Sequence, residues 1–88
     1  MSVPGKERRK EPRIRSRGPV IMRVSEGAPV PGTIYDVSPS GLSVVVETAI
    51  QAGEVVHIES QGLEGEASVR YCRPHKIGYI VGLEWARP

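Results

Sequence analysis

The sequence is poor in the residues on which several common kinds of protein depend. Its single cysteine, Cys72, excludes an intrachain disulfide and a cysteine-based metal framework. No apolar run approaches the roughly 20 residues of a membrane-spanning helix, and the N-terminus lacks the apolar segment of a secretory signal. These absences favour a cytoplasmic location.

Aromatic residues are also scarce. The 88 residues include three tyrosines, one tryptophan and no phenylalanine, so the core must consist mainly of valine, isoleucine and leucine. This length suits one small domain with a thin core. Ten glycines and eight prolines divide the chain into short segments. Frequent turns between segments rich in β-branched residues predict an all-β protein.

Alternation of apolar and polar residues predicts six short strands. The first begins at Pro19, and the others cover residues 33–37, 42–47, 55–60, 66–73 and 77–85. Residues 25–31 are predicted as a loop. Tyr71 follows Ala67 and Val69 at period two, so the alternation predicts that it faces the core. In the last strand, the predicted apolar face begins at Ile77. Because open sheet edges invite aggregation, we expect a closed, six-stranded antiparallel β-barrel.

Charge is unevenly distributed along the chain. Residues 1–17 carry seven basic and two acidic side chains, whereas residues 18–88 carry five basic and eight acidic ones. We therefore divide the chain into a flexible basic N-terminal arm, residues 1–18, and a barrel, residues 19–88. A basic arm on a mildly acidic body indicates an anionic partner held by the arm.

The arm contains the run Arg8-Arg9-Lys10-Glu11-Pro12-Arg13. Guanidinium groups bind phosphates in a bidentate manner and also pair with the O6 and N7 acceptors of guanine. Several arginines on a flexible segment can therefore wrap a guanine nucleotide. Taken alone, the run is more typical of a solvated basic tail or of a nonspecific nucleic-acid arm, because basic tails are common.

A second motif, Asp36-Val37-Ser38-Pro39-Ser40-Gly41, lies between the second and third predicted strands. The Asp36 carboxylate suits the Watson–Crick edge of guanine, whose N1–H and N2–H₂ groups are donors. Gly41 permits a positive φ and a close approach of backbone. Taken alone, the segment is also an ordinary turn, because aspartate, serine, proline and glycine are the usual turn residues.

Together the two motifs resemble the signature of the PilZ domain family. That family has an RxxxR arm, here Arg9 and Arg13, followed by a (D/N)xSxxG turn, here residues 36–41. The end of the chain, Val81-Gly82-Leu83-Glu84-Trp85, is similar to the family's last strand. The resemblance covers roughly residues 7–86, and the order and spacing of the motifs agree with the predicted barrel.

The resemblance implies a receptor for the bacterial second messenger cyclic di-GMP. In such a receptor the ligand orders the arm against the Asp36–Gly41 turn, and the ordered arm signals to a partner or an attached domain. In this family an arginine just before RxxxR, here Arg8, accompanies an intercalated ligand dimer. The residues implied in ligand binding are Arg8, Arg9, Arg13, Asp36, Ser38 and Gly41, with Arg70 and Tyr71 as weaker candidates.

The remaining reactive side chains are assigned no role. His57 and His75 lack companions at metal-ligand spacing, so no metal site is predicted. No Ser/His/Asp order, HExxH motif, P-loop or carboxylate pair is present, and we predict no catalytic residue and no enzyme. Cyclic di-GMP is the only small molecule implied.

Two alternative functions stay open. A small basic barrel can bind RNA or single-stranded DNA, but such barrels present exposed aromatics for base stacking, and this sequence has few. A PilZ-like domain can also mediate only protein contacts. The intact arginine and Asp-x-Ser-x-x-Gly motifs favour the receptor.

Overall fold

The computed structural model describes residues 14–15, 17–24 and 27–86. These residues form seven strands joined by short turns. The strands are β1 (Ile14–Arg15), β2 (Pro19–Val24), β3 (Pro29–Ser38), β4 (Gly41–Val46), β5 (Val55–Ser60), β6 (Leu63–His75) and β7 (Gly78–Trp85). Within the described ranges no helix is long and apolar enough to cross a membrane.

Six of the strands close into an antiparallel barrel, as predicted. Around the barrel the order is β3, β2, β5, β6, β7 and β4, and the pairing of β4 with β3 closes the ring. The two-residue strand β1 lies outside this ring. It pairs with the far half of β3, with Ile14 opposite Val37 and Arg15 opposite Asp36. The segment predicted as the arm is thus joined at its end to the sheet beside Asp36.

The barrel interior is filled by the alternating apolar side chains of all six strands. Ile50, from the connection between β4 and β5, adds to this core. Most of the core follows the predicted alternation: the buried residues are Val20, Met22, Ile34, Leu42, Val44, Val46, Ile50, Val56, Ile58, Ala67, Val69, Val81 and Leu83. Cys72, Tyr79 and Trp85 pack against this core while staying partly exposed.

Strand β3 begins inside the segment predicted as a loop. Pro29 and Pro31 pair with Arg23 and Ile21 of β2, whereas the pairing of β3 with β4 starts only at Gly32. Proline lacks the N–H donor and is tolerated where a strand has a neighbour on one side only. The two prolines therefore extend the strand where a loop was predicted.

The last strand starts one residue later than predicted, so the placement of Ile77 was wrong. Lys76 and Ile77 form the turn of the β6–β7 hairpin, in which Lys76 has a φ of 53°. The Ile77 side chain is 95% exposed and contributes nothing to the core.

Candidate ligand-binding site

The predicted turn at residues 36–41 is mostly strand. Strand β3 continues to Ser38 and β4 begins at Gly41, which leaves Pro39 and Ser40 as the only turn residues. Neither has a positive φ, which fits a type I turn with proline at its second position. The Ser38 hydroxyl donates to the Gly41 carbonyl oxygen at 3.4 Å. Asp36 therefore projects from a paired strand rather than from a loop.

Gly41 is required for space rather than for an unusual φ. Glycine would permit a positive φ here, but the described glycines that have one are Gly53, Gly62 and Gly65. A Cβ at position 41 would lie 2.0 Å from the Leu83 carbonyl oxygen. The close approach was predicted correctly, and it brings the turn onto β7, where the Trp85 N–H donates to the Ser40 carbonyl at 2.8 Å.

A bulge in β3 directs Asp36 to the outer face of the barrel. Ile34 pairs with Val44 and Asp36 with Ser43, so Tyr35 is an extra residue in the ladder. In a regular ladder without a bulge, Asp36 would be two residues after the inward-facing Ile34 and would point into the core. With it, Val37 takes the next inward position, and Asp36 lies beside Ser43 on the outside.

A second bulge turns Tyr71 outward, so the prediction that Tyr71 faces the core was wrong. Val69 pairs with Leu83 and Tyr71 with Gly82, which makes Arg70 the extra residue. Cys72 takes the inward position instead and packs against the core. The Tyr71 ring lies over Gly82, where a built Cβ would come within 2.2 Å of it.

The two bulges open onto one shared cleft of about 380 Å³ on the outer face of the barrel. The strands that contribute to it are β3, β4, β6 and β7. Its lining residues are Tyr35, Asp36, Ser40, Gly41, Leu42, Ser43, Arg70, Tyr71, Ile80, Gly82, Leu83 and Glu84.

Charged side chains lie at the edge of this cleft. Arg70 forms an ion pair with Glu84 through Nη1 and Oε1. The Arg73 guanidinium lies over the Tyr71 ring, 4.5 Å from its centroid, a distance typical of a cation–π contact. The cleft therefore combines a polarised aromatic ring, two carboxylates and a guanidinium within reach of one small polar molecule.

The structure brings together four of the predicted site residues: Asp36, Gly41, Arg70 and Tyr71 all line this cleft. Ser38 lies in the same hairpin, at the end of β3. Arg8, Arg9 and Arg13 lie outside the described residues, so their predicted roles stay predictions.

The sequence prediction missed the parts of the cleft that depend on strand pairing. Glu84 and Gly82 come from β7, and Arg73 reaches the site only through the Tyr71 ring. One signal for this part of the cleft was present in the sequence. Gly82 lies between Val81 and Leu83, and a glycine inside a strand often marks the close approach of a neighbouring group.

A larger groove of about 930 Å³ adjoins this cleft at Tyr35. Arg17, the Val45–Thr48 segment and the β6–β7 turn line it. His75 packs edge-on against Tyr35, with ring centroids 6.0 Å apart. Of the residues that the structure describes, only Tyr35 of the first bulge lines both depressions.

His57 does have potential metal-binding companions, which the linear spacing could not reveal. Pairing of β5 with β6 brings Glu59 and Glu64 close to it, and the donor atoms of all three lie within 4.8 Å of one another. Glu59 already pairs with Arg23 at 3.1 Å, and His57 Nε2 lies 3.3 Å from Glu64. The cluster thus consists of one surface ion pair, between Arg23 and Glu59, and the polar contacts of His57 with two glutamates.

Comparison with known proteins agrees with the barrel fold. The model of the PilZ domain family matches residues 7–88. No curated protein sequence matches the chain significantly. Among solved structures, the chain is similar to the PilZ domain with c-di-GMP of YcgR from Escherichia coli, with 15% sequence identity and a TM-score of 0.68.

The structural alignment covers 89% of this chain and 77% of that one. At this identity the likeness shows a common barrel fold. The family match is independent of it and spans both predicted motifs as well as every described strand. The chain belongs to the PilZ domain family.

Proposed function

We propose that the protein is a receptor for cyclic di-GMP, held between the basic arm and the outer cleft. The observation that carries this proposal is the pairing of β1 beside Asp36, with Arg15 opposite it in register. This strand belongs to the arm and follows directly after its arginine motif. The arginine motif and the Asp-x-Ser-x-x-Gly motif are separated by more than 20 residues of sequence, and their chain segments meet here.

Peptide geometry keeps the arm arginines near the cleft. Consecutive Cα atoms are about 3.8 Å apart, so Arg13 lies within that distance of Ile14, the partner of Val37. Arg9 is four residues further and within about 14 Å of Arg13 even when the chain is fully extended. Both guanidinium groups can therefore meet a ligand that contacts Asp36.

The chemistry of the cleft suits a guanine base. The Asp36 carboxylate accepts hydrogen bonds from the guanine N1–H and N2–H₂ groups. The Tyr71 ring offers a surface on which a base can stack, and base–aromatic stacking is worth roughly 1–3 kcal/mol. Adenine presents an acceptor at N1, so a carboxylate selects against it.

The phosphates are assigned mainly to the arm. The part of the cleft that the structure describes contains two carboxylates and one arginine, so it does not attract a dianion by itself. Arginine–phosphate hydrogen bonds contribute roughly 1.5–3 kcal/mol each. Ordering a free segment costs on the order of 2–5 kcal/mol, which two or three such bonds offset.

The arm is also the proposed output of the receptor. Ligand phosphates neutralise its positive charge, and the arm folds over the outer face next to β1. The ordered arm changes the surface offered to a partner protein or an attached domain. Arg8 is assigned to a second ligand molecule, which gives two cyclic di-GMP molecules per chain.

Titration calorimetry with cyclic di-GMP tests this proposal. We expect binding by the parent, about two ligands per chain, and weakening of roughly tenfold or more in Arg9→Ala and Asp36→Ala. Glu54→Gln removes a carboxylate outside the cleft and serves as the charge control. Cyclic di-AMP is the base control, and we expect it to bind far more weakly.

The outcomes separate the parts of the proposal. Unchanged affinity in both Arg9→Ala and Asp36→Ala would show that the assigned site is wrong. A ratio near one ligand per chain would contradict only the two-molecule mode. Binding of RNA or single-stranded DNA without any binding of cyclic di-GMP would replace the receptor by a nucleic-acid-binding barrel.

A further inference from the structure

The ion pair between Arg70 and Glu84 lies at the edge of the cleft. Arg70 is the extra residue of the β6 bulge, and its side chain is 61% exposed, so it can change direction without disturbing the ladder. Glu84 is opposite Gly41, the first residue of β4 in the β3–β4 hairpin. The pair therefore borders the surface to which the proposed ligand would bind.

A phosphate ligand and Glu84 compete for the same guanidinium. Among the described residues that line the cleft, Arg70 is the one arginine, and it already has a carboxylate partner. The Arg70 Nη1 group already donates to Glu84 Oε1, so a phosphate that binds the guanidinium edge containing Nη1 in a bidentate manner has to replace that carboxylate. An ion pair this exposed is weak in water, so exchanging its partner is inexpensive.

We propose that Arg70 exchanges partners on ligand binding, from the Glu84 carboxylate to an anionic group of the cyclic dinucleotide. Glu84 is then a positioning residue that limits the availability of Arg70 and sets the affinity of the cleft. This inference rests on the proposed function, because it requires an anionic ligand beside Asp36. It adds a residue from the last strand to the determinants of affinity.

The exchange predicts non-additive effects of two substitutions. Glu84→Gln replaces the ion pair with Arg70 by a weaker contact between a neutral amide and the guanidinium. We therefore expect this variant to bind cyclic di-GMP about two- to fivefold more tightly. Arg70→Gln removes the ligand contact, and we expect roughly tenfold weaker binding. The double variant should bind like Arg70→Gln alone, because Glu84 acts only through Arg70.

Simple charge repulsion between Glu84 and the ligand predicts a different result for the double-mutant cycle of Glu84→Gln and Arg70→Gln. In that case Glu84→Gln tightens binding in the Arg70→Gln background at least as much as in the parent. A tightening of that kind in the double variant would overturn the partner exchange. Unchanged or weaker binding by Glu84→Gln alone would overturn it as well.

The chain offers a matched control in the Arg23–Glu59 pair. This exposed ion pair joins β2 to β5, and neither residue lines the cleft. Glu59→Gln removes the same charge and also frees an arginine, and we expect the affinity for cyclic di-GMP to stay within twofold of the parent. An equal tightening by Glu59→Gln would show a general charge effect and overturn the inference.

The same titration separates this inference from the proposed function. If the parent binds cyclic di-GMP and Asp36→Ala does not, the proposed receptor function is supported. The affinities of the single and double variants of Arg70 and Glu84 then test the role of Glu84 separately. If the parent shows no binding, the proposed function fails and the inference fails with it. Thermal melts of all variants confirm that each change acts on folded protein.

Discussion

The Tyr71 ring occupies the space that a side chain at position 82 would need. A Cβ built on Gly82 would lie 2.2 Å from Cε2 of that ring and 2.4 Å from Cζ. The two residues are opposite each other on β6 and β7, just after the bulge at Arg70. Glycine at this point of β7 therefore allows the aromatic ring to form a wall of the cleft.

Gly82→Ala should displace the Tyr71 ring and weaken ligand binding. The ring can swing aside about its own side-chain torsions, so we expect a modest loss of unfolding free energy, about 1 kcal/mol. The binding of cyclic di-GMP should fall roughly tenfold, since stacking on a displaced ring is lost. Calorimetric titration and urea unfolding measure the two effects separately.

Two further variants test this explanation. Gly27→Ala adds a methyl group where the nearest atom is 3.6 Å away, and we expect no change in binding. In a Tyr71→Ala background, Gly82→Ala should cause no additional loss of affinity, because its effect passes through the ring. A full additional loss there would contradict the assigned role of Gly82.

Gly41→Ala should destabilise the barrel itself. Its Cβ would meet the Leu83 carbonyl at 2.0 Å, and this atom belongs to backbone that cannot turn away. We expect a loss of unfolding free energy of roughly 2 kcal/mol or more, in the range of overpacked cores. Denaturant unfolding measures this loss without any ligand.

Gly78 offers the matched comparison for this prediction. A Cβ at position 78 would lie 2.2 Å from the Val46 carbonyl oxygen, at the other end of the β4–β7 pair. Gly78→Ala should therefore cost about as much as Gly41→Ala. A Gly41→Ala variant as stable as the parent would show that the hairpin tolerates a shift away from β7.

Strict alternation was sufficient to predict the barrel, because most of its strands follow period two without interruption. Val20 and Met22, or Val56 and Ile58, are buried at the positions where the pattern puts them. Closure also followed from the sequence, since six short strands leave unfavourable open edges. What alternation could not predict is where a ladder gains an extra residue.

The two bulges that interrupt the alternation both fall at the candidate site. The bulges at Tyr35 and Arg70 each reverse the facing of the residues that follow, and so Asp36 and Tyr71 reach the outside. A bulge is fixed by pairing between distant strands, which a linear pattern does not contain. The family motif identified Asp36, whereas only the pairing of β6 with β7 placed Tyr71.

The revised start of β7 gives a prediction about stability. Ile58 is fully buried and Ile77 is 95% exposed, although both belong to apolar patterns in the sequence. We expect Ile58→Ala to reduce the unfolding free energy by about 2–5 kcal/mol. Ile77→Ala should stay within about 0.5 kcal/mol of the parent. Urea unfolding of both variants checks this, and a large loss for Ile77→Ala would restore the earlier start of the strand.

The division of charge between arm and barrel predicts how salt affects the receptor. Residues 1–17 are strongly basic and the remainder is net acidic, so the proposed receptor should attract its dianionic ligand through the arm. Raising salt from about 50 mM to about 200 mM shortens the screening length and should weaken cyclic di-GMP binding by the parent.

Arg9→Ala/Arg13→Ala should bind weakly with a much flatter salt dependence. Asp36→Asn should bind weakly but keep most of the parent's salt dependence. The contact that it loses is with the uncharged edge of a guanine base and not with a phosphate. Titrations at several salt concentrations measure all three dependences, and equal slopes for the parent and the double-arginine variant would mean that the arm does not hold the phosphates.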